Sequence, residues 1–145
     1  MFAETALDIG RLYRGIKRSI NRDVLPDGLT GQQYRILRYI GTNSKNKDVY
    51  LCELENKLGI CRSTASGLVT ELEAKGLLRR EAMEDDGRFK RLLLTEAGYD
   101  MLNRVILGID GLNRNLVQDI SSEDMAAFHK VAAMLHANLE RTAEA

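Results

Sequence analysis

Tryptophan is absent from this chain of 145 residues, proline occurs only once, and cysteine occurs twice. Two cysteines cannot build the framework of a disulfide-stabilised scaffold, so we expect a protein of the reducing cytoplasm. No apolar run approaches the roughly 20 residues that a membrane-spanning helix needs. The first residues, MFAETALDIGRLYR, also lack the basic start and apolar block of a secretion signal. These absences favour a globular domain of ordinary size.

An excess of one charge is missing too, because 21 Lys and Arg stand against 21 Asp and Glu. This balance hides an asymmetry. Residues 1–47 carry nine basic and four acidic side chains. Residues 48–95 carry eight basic and nine acidic side chains, and residues 96–145 carry four basic and eight acidic ones. The overall charge therefore does not indicate a nucleic-acid-binding protein. Any such function has to come from the local placement of basic residues.

Motifs for catalysis and metal binding are also missing from the sequence. There is no G-x-S-x-G, no phosphate-binding P-loop and no H-E-x-x-H. His129 and His136 lie seven residues apart, but zinc needs three or four clustered ligands, and no Cys or acidic residues stand at a suitable spacing. We therefore expect a protein that is not an enzyme and that has no metal or cofactor.

Helical periodicity begins near the N-terminus. The first helix has one apolar stripe, and VLPDG at residues 24–28 ends it. Thr30 and Gln33 then form a T-x-x-Q capping box, which predicts the start of a second helix. The apolar stripe of the first helix consists of Ile9, Leu12, Tyr13, Ile16 and Ile20.

Two closely joined helices follow in the middle of the chain. Residues 51–58 form a short helix that stops at Gly59, and residues 62–75 form a second helix that stops at Gly76. Glycine is favoured just beyond helix C-termini, because it adopts the left-handed conformation without strain. Two helices joined by so few residues predict a helix-turn-helix.

A change of periodicity after Gly76 indicates β-structure. The stretches 77–83 and 88–95 have the composition of strands and flank the polar residues 84–87, which predicts a hairpin. DVY at 48–50 favours a further short strand before the helix-turn-helix. A helix-turn-helix followed by a hairpin is a winged helix.

Two long helices are predicted to finish the chain, with a cap formed by Ser121 and Asp124 at the start of the second. Their apolar stripes exceed what a small winged helix can cover, so self-association would bury them. Gly108 and Gly111 would let another helix approach closely. The stripes consist of Met101, Val105, Ile109, Leu112 and Leu116 on the first helix, and of Met125, Phe128, Ala132, Leu135 and Leu139 on the second.

The order and spacing of several motifs resemble the MarR family of bacterial transcriptional regulators. The matching stretches are LTGQQYRIL (29–37), LENKLG (54–59), RSTASGLVTELEAKGL (62–77), DGR (86–88) and LTEAG (94–98). No one of these motifs is specific alone, but their succession covers nearly the whole chain.

The resemblance implies a mainly α fold with a small β-hairpin wing, that is, a winged helix-turn-helix with N- and C-terminal dimerisation helices. It divides the chain into an N-terminal dimerisation helix (1–28), a DNA-binding region (29–98) and C-terminal dimerisation helices (99–145). It implies a homodimer that binds a palindromic operator in double-stranded DNA. Such a protein would act as a repressor that a small, often phenolic, effector releases.

The residues expected to contact DNA lie on the second helix of the helix-turn-helix and on the wing. Small hydroxyl side chains let a helix lie deep in the major groove, and an arginine at a hairpin tip can enter the minor groove. Asp86 would orient that arginine by accepting its hydrogen bonds. Where the family often has Thr-Arg, this chain has Ser66-Gly67, so Arg62 takes a larger share of the predicted recognition. The predicted contacts are Arg62, Ser63, Thr64, Ser66, Gly67, Thr70, Arg88 and Lys90.

Two further groups of residues have competing interpretations. Tyr13, Lys17, Tyr34 and Arg38 could line a crevice for an aromatic carboxylate, or the tyrosines could pack in the core while the bases stay in solvent. Cys52 and Cys61 each stand near a helix start, where a thiol pKa falls, and could respond to oxidants or could be inert. A winged-helix adaptor that binds protein instead of DNA also stays open, since the net charge is zero.

Overall fold

A computed structural model describes residues 4–26 and 28–143 of the chain. These residues form six α-helices and one antiparallel two-stranded hairpin, so the predicted winged helix-turn-helix is confirmed. Among them, no helix is both long and apolar enough to cross a bilayer. The elements are α1 (Thr5–Ser19), α2 (Gly31–Asn43), α3 (Leu51–Leu58), α4 (Arg62–Ala74), β1 (Leu78–Ala82), β2 (Lys90–Leu94), α5 (Glu96–Leu116) and α6 (Ser122–Ala143).

The predicted caps of the winged helix are confirmed. The Oγ1 atom of Thr30 accepts the N–H of Gln33 at 3.2 Å, and Oε1 of Gln33 accepts the N–H of Thr30 at 3.1 Å. Gly59 and Gly76 have φ angles of +64° and +72°, a conformation that glycine adopts without the cost of a Cβ clash. These local interactions fix where α2 begins and where α3 and α4 end.

A π-helical turn, Ile20–Val24, continues α1 before the chain becomes extended at Leu25. The predicted break at residues 24–28 therefore begins at the end of this turn, and Asp27 lies outside the described residues. A Cβ added at Gly108 of α5 would lie 2.9 Å from Cγ1 of Val24, whereas Gly111 faces open space. The helix that approaches closely at Gly108 is thus the π-helical continuation of this chain's own α1.

The core of the winged helix lies between α2, the helix-turn-helix and the hairpin. Its most deeply buried apolar side chains have an exposed fraction of 2 % or less. Their contact holds α4 against α2 and places the hairpin beside both helices, so burial of this shared apolar surface fixes the geometry of the unit. They are Ile36, Leu37, Ile40, Val49, Leu54, Val69, Leu72, Leu78 and Leu92.

The hairpin pairs β1 and β2 in a register that sets Glu81 opposite Arg91 and Arg80 opposite Leu92. The strand expected at residues 48–50 is instead a short extended segment, in which the carbonyl of Val49 accepts the N–H of Leu92 at 2.8 Å. A single backbone bond of this kind lies along the outer edge of β2, which is too little pairing to make a strand. The described sheet therefore has two strands.

The chain divides into two compact units, one ending at Leu112 and the other beginning at Asn113. The second unit contains α6, whose predicted cap is confirmed, since Oγ of Ser121 accepts the N–H of Asp124 at 3.0 Å. No residue of α6 is buried within the single chain. Four large apolar side chains of this helix are more than half exposed, namely Phe128, Val131, Met134 and Leu139.

The start of α5 explains the L-T-x-x-G motif at residues 94–98. The Oγ1 atom of Thr95 accepts the N–H of Gly98 at 3.0 Å and donates to the carbonyl of Gly76 at 2.6 Å. A Cβ at position 98 would overlap the carbonyl oxygen of Leu77 and lie 3.0 Å from its carbonyl carbon. Only glycine lets α5 begin this close to the strand entry.

We expect Gly98→Ala to lower the free energy of unfolding by about 1–3 kcal/mol, the usual cost of overpacking against backbone that cannot move away. Gly31→Ala is the matched control, because the first residue of α2 faces open space. Urea denaturation of both variants measures the difference. Equal stability of the two variants would contradict this account of the motif.

Candidate nucleic-acid interface

The helix α4 has the two faces that the sequence predicted. Ala65, Val69 and Leu72 are fully buried against the core. The opposite face is accessible to a ligand, with Ser66 half-buried and the other predicted contact residues exposed. Those exposed residues are Arg62, Ser63, Thr64, Gly67 and Thr70.

Cys61 stands at the N-cap of α4 and is exposed. Its Sγ lies 3.2 Å from Oγ of Ser63 and 3.1 Å from Oγ1 of Thr64. Hydrogen bonds from these two hydroxyls, with further bonds from their backbone amides, lower the pKa of the Cys61 thiol to about 7. Near neutral pH the thiolate fraction of Cys61 is therefore larger than that of an ordinary cysteine.

The wing tip contains the predicted contact between Asp86 and Arg88. Oδ1 of Asp86 accepts the backbone N–H of Arg88 at 3.0 Å and its Nε–H at 3.1 Å, while Oδ2 accepts an Nη2–H at 3.1 Å. These bonds lower the pKa of the Asp86 carboxyl, so it stays charged at neutral pH. The Arg88 side chain is 88 % exposed, and its bonds to Asp86 orient the guanidinium at the tip. Its contact with DNA stays a prediction.

The turn itself is closed by the N–H of Phe89, which donates to the carbonyl of Asp86 at 3.1 Å. Gly87 has no positive φ and faces open space, so this turn does not require glycine. Glu84 and Asp85, the acidic pair before the tip, are exposed. Their charges lie next to the wing arginine and would repel phosphates that come close to that side of the hairpin.

The two basic residues of β2 have different surroundings. Lys90 is exposed, as expected for a phosphate contact. Arg91 pairs with Glu81 at 2.6 Å and with Asp48 at 3.2 Å, which raises the pKa of its guanidinium. Arg91 therefore links the hairpin to the segment before α3, and its charge is already balanced within the chain.

Arg80 is a residue that sequence reasoning missed. From β1 its Nη2 donates to Oγ1 of Thr70 at 3.2 Å, and its Nη1 lies 3.3 Å from Oε2 of Glu73. Both partners lie on α4, so this one side chain connects the wing with the predicted recognition helix. The sequence did offer one indication of this position. Side chains alternate between the two faces of a strand, so Arg80 lies on the same face of β1 as buried Leu78.

A second connection, to α2, holds the same C-terminal half of α4. The amide of Gln33, only 1 % exposed, donates to Oε2 of Glu71 at 2.7 Å and accepts from Nζ of Lys75 at 2.9 Å. The Lys75 ammonium also donates to the carbonyl of Gly28. These bonds attach the C-terminal end of α4 to the beginning of α2.

The four residues predicted to line an effector crevice do not form one site in the described chain. Tyr34 is buried in the core cluster, which is the alternative that its sequence position left open. Tyr13 and Lys17 lie on α1, with the ammonium 5.9 Å from the ring centroid. Arg38 lines a shallow cavity of about 310 Å³ on α2 together with Arg35, Tyr39, Thr42 and Asn43.

The remaining candidates for chemistry stand apart from one another. Cys52 is exposed on α3, and His129 and His136 are exposed on α6. His136 lies 3.3 Å from Glu140. Within the described residues, no three His, Cys, Asp or Glu side chains are close enough together to hold a metal ion.

An exposed helix face beside a wing that is bonded to the same helix defines a winged-helix domain. Comparison with known proteins shows which family this domain resembles. Residues 27–88, from before α2 to the wing tip, match the family model described as "MarR family". Over this segment the chain matches the MarR family, which confirms the resemblance predicted from the sequence.

Solved structures share the same fold across the rest of the chain. A MarR family transcription regulator covers 99 % of this chain and 93 % of its own, with 22 % identity and a TM-score of 0.84. MepR, a transcription regulator of the Staphylococcus aureus multidrug efflux pump MepA, covers 93 % of this chain and 98 % of its own, with 18 % identity and a TM-score of 0.81. The PcaV transcriptional regulator from Streptomyces coelicolor was solved with its natural ligand. It covers 94 % of this chain and 95 % of its own, with 20 % identity and a TM-score of 0.69.

The pKa of Cys61 gives a prediction that does not depend on DNA. Alkylation of Cys61 by iodoacetamide should rise with pH around a midpoint of about 7, because the thiolate is the reactive form. Ser63→Ala removes one hydroxyl that stabilises the thiolate and should move this midpoint upward. Peptide mass spectrometry separates Cys61 from Cys52, and an unmoved midpoint in Ser63→Ala would contradict the assigned cause.

Proposed function

We propose that this protein is a homodimeric DNA-binding transcriptional regulator, a repressor that leaves a palindromic operator when a small effector binds. One observation carries the proposal: α4 presents an exposed polar face, and a wing attached to the same helix presents an exposed arginine. A recognition helix in the major groove and a wing arginine in the minor groove can be occupied together. The proposed contacts are Arg62, Ser63, Thr64, Ser66, Gly67, Arg88 and Lys90.

The proposed dimer uses the predicted terminal segments, residues 1–28 and 99–145. α1 has no buried residue, although Leu7, Ile9, Leu12 and Tyr13 lie along it with about half or more of their surface exposed. The exposed apolar side chains of α6 present a second surface of the same character. Apolar surface of this extent on a water-soluble protein favours association, and two-fold symmetry would match a palindromic site.

An effector and an oxidant are two candidate signals for release from DNA. The cavity at Arg38, with Arg35 and Tyr39 beside it, offers cations and an aromatic ring to a small aromatic anion, while Tyr13 and Lys17 offer a similar pair on α1. The redox alternative relies on Cys61, whose lowered pKa and exposure favour oxidation next to the phosphate backbone. Cys52 is exposed as well and is the second candidate thiol.

Arg88→Ala should weaken operator binding by about tenfold or more, since a well-placed arginine contact contributes about 1–3 kcal/mol. Arg79→Ala is the control, because it removes the same charge from β1. Fluorescence anisotropy with a DNA fragment selected by the wild-type protein gives both affinities. Equal losses in the two variants would rule out a specific wing contact, and a dimer that selects no DNA would favour a protein-binding adaptor.

Phe128→Asp should dissociate the proposed dimer, because a charge would enter the apolar face of α6. Ala137→Asp places the same charge nine residues further along, on the opposite side of the helix, and should leave the dimer intact. Sedimentation equilibrium measures the mass of each variant. A Phe128→Asp protein that stays dimeric would contradict the use of α6 in the interface.

A further inference from the structure

The position of Arg80 in the hairpin directs its side chain toward the helices. Arg80 is paired with Leu92 across the hairpin, and directly opposite residues in an antiparallel pair share one face of the sheet. Leu92 is 1 % exposed, so this face is the one that packs on the core. The guanidinium extends from it to the surface of α4, where the side chain keeps an exposed fraction of 28 %.

Two bonds of different character hold this guanidinium. Its Nη2 donates to the hydroxyl oxygen of Thr70, and its Nη1 pairs with the carboxylate of Glu73. Thr70 and Glu73 lie three residues apart, so they are neighbours on one face of α4. The planar guanidinium can bind both partners at once, which fixes both the distance and the direction between strand and helix.

The hydroxyl of Thr70 is already committed within the chain. It donates its single proton to the carbonyl of Ser66 at 2.9 Å, and it accepts from Arg80. A hydroxyl used in this way has no proton left for a phosphate oxygen. The geometry therefore favours Thr70 as the anchor of Arg80 over Thr70 as a donor to DNA.

We propose that Arg80 is a positioning residue, which locks the wing to the recognition helix so that α4 and Arg88 engage DNA as one rigid unit. This inference rests on the proposed DNA-binding function. β2 has its own attachments, through the backbone of Val49 and through Arg91, and these keep the hairpin folded when Arg80 is removed. In the same variant, the polar bonds between β1 and α4 that Arg80 makes are lost, so they no longer fix the angle between strand and helix.

The matched control is Arg79, the neighbouring residue of the same strand. Its side chain is 61 % exposed, and it pairs with Glu81 on the hairpin itself at 3.6 Å, with no bond to α4 among the described residues. Arg79→Ala and Arg80→Ala therefore remove the same charge one position apart. General electrostatic attraction to DNA falls equally in both variants, whereas the position of the wing changes only in the second.

A double-mutant cycle with Arg88 measures this positioning. In the wild-type and Arg79→Ala backgrounds, we expect Arg88→Ala to weaken binding to the selected DNA fragment by about tenfold. In the Arg80→Ala background the same change should weaken it by less than about threefold, because an unlocked wing no longer holds Arg88 in the groove. Thr70→Val should behave like Arg80→Ala, and Thr70→Ser, which keeps the hydroxyl, should behave like the wild type.

The outcomes separate this inference from the function on which it rests. A wild-type protein that selects no DNA sequence contradicts the proposed function. Sequence-selective binding with equal Arg88→Ala losses in all backgrounds contradicts only the role of Arg80. Thermal unfolding of each variant identifies any that fails to fold. If Arg80→Ala fails, the Thr70→Val and Thr70→Ser variants test the bond between Arg80 and Thr70 with Arg80 still present.

Discussion

The orientation of α4, the proposed recognition helix, depends on the buried amide of Gln33. This side chain closes the capping box of α2 and at the same time bonds to Glu71 and Lys75 on α4. Apolar packing alone would let α4 slide or rotate against α2, because burial has no direction. A buried amide with all of its partners in place does have direction, and losing one of them would leave a polar group unsatisfied in the core.

Arg80 does for the wing what Gln33 does for the helix. One bond set joins Glu71 and Lys75 to α2, and the other joins Thr70 and Glu73, in the same C-terminal half of α4, to β1. Between them they hold the exposed face of α4 and the wing tip in one frame. If the proposed function holds, two DNA contacts that share this frame would need less ordering on binding, so more of their interaction energy would appear as affinity.

The sequence predicted those features whose partners lie close together along the chain. Thr30 with Gln33, Ser121 with Asp124 and Asp86 with Arg88 are two or three residues apart, and each pair is bonded as expected. The links at Arg80 and Lys75 join residues that are 7 to 47 positions apart. No periodicity encodes which partner a long basic side chain will find across the fold, so these links could not be predicted from the sequence.

Helical periodicity placed Tyr34 and Gly108 correctly but could not identify all of their neighbours. The inward position of Tyr34 follows from the stripe that it shares with Leu37 and Ile40, and its ring packs in the core. Gly108 allows a helix to approach closely, as expected, and the neighbour is Val24 in a π-helical turn that continues α1 and has no sequence signature of its own. This turn places Val24 against α5 directly before the chain enters the winged helix. Val24 thus connects α1 with α5, and the carbonyl of Gly28, four residues further on, accepts from Lys75 at the end of α4.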